Sequence, residues 1–550
     1  MRSVVKPTVI FSMDYIATSA IRIGIIASLF KSLLIPSYRS TDFEVHRNWL
    51  AITHSLPVSQ WYYENTSQWT LDYPPLFAWF EYSLSQAAAV VDPEMVVISK
   101  LEYASYRTII FQRLSVVITD ILLIYAVYDY CKWWSNNRRL SSLSTSHGEN
   151  NTMIAAFVLM VLVIFNFGLI IIDHVHFQYN GMLFGIFLLS ITKIAQEKFC
   201  QAALFFILLL NFKHLFAYVA PAYFVYLLRR YCFGKLQYSS WTEMRQDFRF
   251  THLAKLSLIV LAAISISFGP FIAMGQINQL ISRLFPFKRG LCHAYWAPNF
   301  WALYNVVDKA VAMISLRLGL LTGDKWQSAS MTGGKVTESD HIVLPSIRPL
   351  TTFGLTLISI LPSIVHLWRF PYSWRAFLRV MILCGFSSFI FGWHVHEKHL
   401  ITVIVPFTLL AIENKNDARL FFLLSCIGHY SLFPLLYEPT ESPIKHILYI
   451  LYSIFAYYGL QLCSCSSLKS IHRLRPLKVS LFEKIYIIGL LFVQIYTIFL
   501  HSVFKLNDKL PFLPLLITSV YCSIGVLYVW ANFYARSIWL TSDKSEYIED

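Results

Sequence analysis

Long apolar runs, separated by short polar segments, fill almost the whole chain. Many hold about 20 residues, enough at 1.5 Å per residue to cross roughly 30 Å of hydrocarbon. The pattern predicts about fourteen transmembrane helices, centred near residues 26, 119, 163, 187, 206, 221, 264, 359, 385, 405, 428, 453, 493 and 522. Asn211-Phe212-Lys213-His214 breaks the fifth and sixth runs. Residues 1–550 read as a single all-α, multi-spanning membrane domain, and no internal repeat implies inverted halves. The first run, about Tyr15 to Pro36, is long enough to remain as an anchor, and no short cleavable apolar stretch precedes it.

Composition agrees with the pattern. Only 14% of the 550 residues are charged, where globular chains carry about 25%. The net charge of +14 raises the question of nucleic acid. Its distribution answers it, because the basic residues fall in alternate loops. One loop holds Lys132, Arg138 and Arg139, and the next Arg229, Arg230, Lys235, Arg245 and Arg249. Then come Arg369, Arg375 and Arg379, and finally Lys469, Arg473, Arg475 and Lys478. That alternation assigns these loops to the cytoplasm, and no basic patch on a nucleic-acid fold accompanies it. An even number of spans puts both termini on the cytoplasmic side. Two long loops, 37–106 and 276–348, then face the lumen. So do the short segments His174–Asn180 and His394–Lys398, which gathers the polar motifs on one face. The nine cysteines are scattered, and the one close pair, Cys463-Ser464-Cys465, lacks zinc-site spacing.

The first long loop has its own pattern. Val45, Trp49, Ile52 and Leu56 recur at helical spacing, and Trp61, Tyr62, Tyr63, Trp69 and Tyr73 are aromatics of the headgroup level. Helices lying in the interface plane are expected here. Asn65-Thr66-Ser67 is a glycosylation acceptor on this loop, whereas Asn150-Asn151-Thr152 falls on the cytoplasmic side.

Candidate chemistry begins with Thr41-Asp42-Phe43-Glu44-Val45-His46-Arg47-Asn48-Trp49. Thr41 and Glu44 have capping-box spacing, in which case Asp42 merely complements the helix dipole. The alternative is functional: an ionised Asp42 at a helix start can take a proton from an attacking sugar hydroxyl. Leu71-Asp72-Tyr73-Pro74-Pro75 is forced into an extended segment by its prolines, and Asp72 and Tyr73 serve either a turn or a sugar site. The two His-Val-His triplets, 174–176 and 394–396, share a face only in extended chain, and Glu397 adds a ligand type. No further ligand set at firm spacing supports a metal. Phosphate binding by the imidazoles and Lys398 is the better reading. In the second long loop Arg283, Lys288 and Arg289, among aromatics, run against the topological bias and suit a glycolipid.

Four of these stretches carry a resemblance. The Thr41–Trp49 block, Leu71–Pro75, His176-Phe177-Gln178-Tyr179-Asn180-Gly181 and Gly392-Trp393-His394-Val395-His396-Glu397-Lys398 resemble the glucosyltransferases of asparagine-linked glycosylation that use dolichyl-phosphate glucose. The similarity runs from about residue 30 to 535, and Leu284–Asn305 is most like the branch that adds the second glucose. The resemblance implies a GT-C fold with interfacial helices in the first lumenal loop, in the endoplasmic reticulum membrane. It implies Asp42 as catalytic base. Glu44, Arg47, Asp72, Tyr73, His176, Gln178, Tyr179, Asn180, Lys288, Arg289, His394, His396, Glu397 and Lys398 are the expected substrate-binding residues, with no metal and no cofactor. The implied partners are dolichyl-phosphate glucose, the lipid-linked oligosaccharide Glc1Man9GlcNAc2-diphosphodolichol and membrane lipids. An inverting transfer to this acceptor gives an α-1,3 bond. The sibling branch adding the first glucose is the nearest alternative. A proton-coupled transporter would place its polar groups near the midplane, not on one face.

Overall fold

The computed structural model describes residues 7–141, 146–285, 290–293, 295–320, 340–463 and 477–539. Nearly all are helical, and the β pairing among them amounts to two isolated bridges, Phe233 with Phe248 and Cys292 with Val395. Nine helices among the described residues are long and apolar enough to cross a membrane, running from Tyr106–Arg138 to Leu513–Ile538. They carry nine of the fourteen expected centres. The other five fall on α1 (Pro7–Ser32) and on four shorter helices, Asn180–Ala195, Phe199–Phe212, Ala220–Tyr231 and Ile401–Ala411. Every expected centre is thus helical, and among the described residues nine of the helices are able to cross by length and composition alone.

The spans divide by what surrounds them. Asn151–Phe177 and Trp374–Phe391 are mostly enclosed by other helices. Phe250–Ala273 and Leu481–Val503 turn side chains such as Leu258, Leu261, Phe482 and Ile485 outward. In water such a surface would drive aggregation. In hydrocarbon it is solvated, so close packing and interhelical hydrogen bonds hold the bundle.

The first long loop folds into helices α2 (Thr41–Ser55) and α3 (Pro75–Val91). Pro74 is the N-cap of α3 and Pro75 its first residue, so the proline pair starts a helix at the position where a missing N–H costs nothing. Ten of the fifteen residues of α2 are buried, from Phe43 round to Thr53. A helix enclosed on all sides is a core helix. The apolar stripe expected on α2 is thus packed against protein. Its cover is α3 and the short turn Pro93–Val96. Hydrogen bonds from Asn48 Nδ2 to the Trp69 carbonyl (3.0 Å) and from Trp49 Nε1 to that of Thr70 (3.2 Å) pin the segment before Asp72 onto α2.

After this cap the chain returns through α4 (Tyr106–Thr119) and α5 (Ile121–Ser141). Asp120, at their junction, is buried and accepts from Lys31 of α1 (2.5 Å) and from His174 (2.8 Å). Gly181 lies against this carboxylate, and a Cβ there would meet Asp120 Oδ1 at 1.8 Å, so only glycine fits the approach. This network fixes where the segment after Asn151–Phe177 begins.

Candidate active site

The site starts at the first turn of α2. Ser40 is the N-cap, but its side chain does not cap the helix. Its hydroxyl instead donates to the carbonyl of His176. Glu44 does not reach back to Thr41 either, so the expected capping box is not formed. The hydroxyl bond fastens the α2 start to the end of the span Asn151–Phe177, which is π-helical over Ile170–Phe177. Such wide turns are frequent at functional sites.

Three side chains from two distant segments meet at one oxygen of Asp42. Gln178 Nε2 donates to Oδ2 at 2.6 Å, Lys398 Nζ at 2.8 Å, and His176 Nε2 lies 3.3 Å away. None of the described donors bonds to Oδ1. Burial opposes ionisation of this carboxyl, but Lys398 and then His176 outweigh it and hold Asp42 well below the usual carboxylate range. It is an ionised acceptor, and its side chain is 21% exposed, open to the cavity.

The groups around Asp42 are held in turn. His176 Nδ1 lies 3.0 Å from the Tyr38 hydroxyl. Gln178 Oε1 accepts from Asn180 Nδ2 at 2.8 Å, which turns the other end of its amide toward Asp42. Asn180 Nδ2 also donates to Asp173 (2.8 Å), and its Oδ1 accepts from Lys213 Nζ (2.9 Å). Between His176 and Gln178, Phe177 adopts φ +91°, a left-handed conformation that a bulky residue keeps only under strong constraint. The constraint is visible: its ring packs on Phe43 (5.2 Å between centroids) and His46 (5.4 Å).

A second wall of the cavity comes from the His394–Lys398 segment, whose Lys398 touches Asp42. His394 has φ +51°, and its N–H bonds to the Leu291 carbonyl at 3.0 Å. With the Cys292–Val395 bridge, this ties the second long loop to the His394–Lys398 segment. The ring of His293 lies 4.3 Å from that of His396 and 5.8 Å from that of His394. Burial, reinforced by His293, His399 and Lys398, keeps His396 neutral, well below the ordinary imidazole range. Burial also pushes the Glu397 carboxyl up to about 7.

Both walls line one cavity of about 1360 Å³. That exceeds the roughly 300–1,000 Å³ of small-molecule pockets. Its lining includes polar residues such as Asp42, Asp72, Tyr73 and Lys213 and apolar ones such as Phe353, Leu357, Ile360 and Leu515. It has the size and mixed character for a sugar joined to a lipid.

Of the expected site residues, Asp42, Asp72, Tyr73, His176, Gln178, Asn180, His394, His396, Glu397 and Lys398 all line this cavity. Glu44 and Arg47 do not. They pair with each other through two bonds of 2.7 Å, and Arg47, fully buried, also donates to the Met95 carbonyl (3.0 Å). Their role is to clamp α2 onto the turn at Pro93–Val96. Tyr179 is buried beside His46 and bonds to Ser115 (2.8 Å) rather than reaching the cavity. Lys288, Arg289 and Cys465 lie outside the described residues. Among the described residues no group of three His, Cys, Asp or Glu is placed to hold a metal ion.

Sequence reasoning missed Lys213, His293 and Asp173 as parts of the site. A signal existed for Lys213, a cation interrupting an apolar run. None existed for Asp173, which reads as one polar residue near a span end.

Comparison with known proteins follows the same residues. The chain is similar to proteins named dolichyl pyrophosphate Glc1Man9GlcNAc2 alpha-1,3-glucosyltransferase. It is 50% identical to the one from Mus musculus, over 94% of this chain and 95% of that protein. It is 49% identical to the Bos taurus protein, over 94% of each. For Arabidopsis thaliana the figure is 45%, over 92% of this chain and 95% of that protein. Residues 27–533, which contain both walls of the cavity, match the ALG6, ALG8 glycosyltransferase family, and the chain belongs to that family.

Proposed function

We propose that this chain transfers glucose from dolichyl-phosphate glucose to Glc1Man9GlcNAc2-diphosphodolichol. The product is the Glc2 oligosaccharide with a new α-1,3 bond. The relatives' shared name supports the acceptor and the linkage. The observation that carries the reading is Asp42, an ionised carboxylate with one oxygen held by three groups and the other unbonded among the described residues.

The chemistry balances as a single displacement. An acceptor hydroxyl attacks the anomeric carbon of the β-linked glucose, and its proton passes to Asp42. The carbon–oxygen bond to phosphate breaks, the electron pair leaves with dolichyl phosphate, and the configuration inverts. The transition state is oxocarbenium-like, so the proton moves late and a modest base suffices. The phosphate leaves as an anion and needs donors or cations rather than a second acid. His394, His396 and Lys398 supply them from the neighbouring segment of the cavity lining. Asp72 and Tyr73 border the sugar, and Asn180 sets Gln178. The enzyme acts in the endoplasmic reticulum membrane, with the site lumenal and both termini cytoplasmic. The alternation of basic loops supports that orientation.

Purified Asp42→Asn is expected to lose transfer by about 10²–10⁴-fold, the usual weight of a general base. The measurement is glucose incorporation into a synthetic lipid-linked oligosaccharide. A wild-type rate from this variant would overturn the assignment.

A further inference from the structure

Two cationic side chains among the described residues line the cavity, Lys213 and Lys398. Lys213 is committed: its ammonium bonds to Asn180 Oδ1 at 2.9 Å and stands 5.2 Å over the Tyr73 ring. Lys398 bonds to the base itself, at 2.8 Å from Asp42 Oδ2. It stands on a short turn, Glu397–Leu400, directly after His396 on the wall where the phosphate is expected.

These positions conflict with a fixed role. Inversion puts the base and the leaving oxygen on opposite faces of the sugar. In inverting glycosidases the two groups acting on those faces stand roughly 6.5–9.5 Å apart. One ammonium cannot touch both. While it touches Asp42 it also makes that carboxylate a poorer proton acceptor. A lysine is suited to moving between two anions, being a point charge with three donors on a flexible four-carbon stem. Asp42 would not be left unsupported, because Gln178 and His176 remain on Oδ2. The other titratable groups near it, Tyr38, Tyr73, Lys213 and Glu397, make no bond to it among the described residues.

We propose that Lys398 is a shared cation that passes from Asp42 to the donor phosphate, so that donor binding itself frees the base. This rests on the donor assignment above. It implies an order, with the lipid phosphate seated before the acceptor hydroxyl can be deprotonated. An acceptor that arrives first meets a carboxylate whose open oxygen, Oδ1, is a poorer proton acceptor because of the ammonium on Oδ2.

The test is a double-mutant cycle on donor binding, with the full chain in lipid nanodiscs and a short-chain polyprenyl-phosphate glucose as probe. Asp42→Asn releases Lys398 and is expected to tighten the probe by about tenfold, the weight of one charged hydrogen bond. In a Lys398→Gln background the same substitution is expected to change Kd by less than about twofold, since no cation remains to be released. An equal factor in both backgrounds would mean simple charge repulsion and would overturn the hand-over while leaving the donor assignment intact. Failure of the wild type to bind the probe would overturn both. Should Lys398→Gln not accumulate, Lys398→Arg serves. Its rigid fork grips a carboxylate in two places, so Asp42→Asn is expected to tighten the probe more than with lysine. No larger gain would count against the proposal.

Discussion

The same three residues, His-Val-His, occur at 174–176 and at 394–396, and the fold uses them in opposite ways. The first triplet sits on a π-helical turn at the end of an enclosed span. Its histidines diverge: His174 turns to Asp120, which Lys31 also holds, inside the bundle, and His176 turns to Asp42. The second triplet sits in an irregular segment with a left-handed residue at its head. Both its histidines line the cavity, with their rings 5.4 Å apart and beside His293. The first triplet is scaffold that ends in one site residue, while the second is a wall of the site. The difference teaches that a motif's chemistry is set by the backbone carrying it. On a helix, neighbours two apart point different ways. In irregular chain they converge.

The comparison can be broken hardest at Asp120. Asp120→Leu leaves Lys31 buried without its carboxylate and His174 without its acceptor. Breaking a buried pair from one side costs about 3–5 kcal/mol. The variant is expected to lose that much stability or fail to accumulate, as read by thermal unfolding in detergent. A wild-type melting temperature would mean that the first triplet is not scaffold.

A smaller effect separates support from chemistry. Gln178→Leu removes one donor to Asp42 while leaving His176 and Lys398. One hydrogen bond to a charged group is worth about 1.5–3 kcal/mol. The expected result is a fall in kcat of roughly tenfold or more, with KM for the donor little changed. A change in donor KM alone would place Gln178 on the donor instead.

The smallest effect tests the second triplet by pH. His396 is held neutral in the folded chain by burial, with nearby His293, His399 and Lys398 adding to it. Unfolded, it titrates near its ordinary value of about 6.5. Below that pH the unfolded chain takes up a proton that the folded chain does not. Stability is therefore full above about pH 6.5 and falls as pH drops below it. The melting temperature is expected to decline between about pH 6.5 and 5, and His396→Asn to flatten part of that slope. An unchanged slope would show that His396 titrates freely.

Much of this was legible in the chain, and the limits have physical causes. The helices were legible because hydropathy reports what a segment touches, and every expected centre fell on one. The number of crossings was less legible, because a short apolar helix has the same hydropathy whether it spans or lies inside the bundle. Asp42, Gln178 and Lys398 were legible as polar residues with no reason to gather at a membrane edge. Glu44 and Arg47 misled for the same reason. Spacing of three on a helix allows them to pair with each other, and sequence cannot tell that pair from two ligand-binding charges.

By itself, then, the sequence determined the class of molecule, the order of its helices and the short stretches from which the site is made. Those follow from local properties, namely hydropathy, charge placement and backbone preference. Only the tertiary structure decided that Gln178 and Lys398, at positions 178 and 398 of the chain, share one oxygen of Asp42. It also decided that Lys213 lines the same cavity and that Glu44 and Arg47 turn away. Convergence depends on how helices pack and where a strained residue such as Phe177 reverses the chain, and neither is written in any single segment.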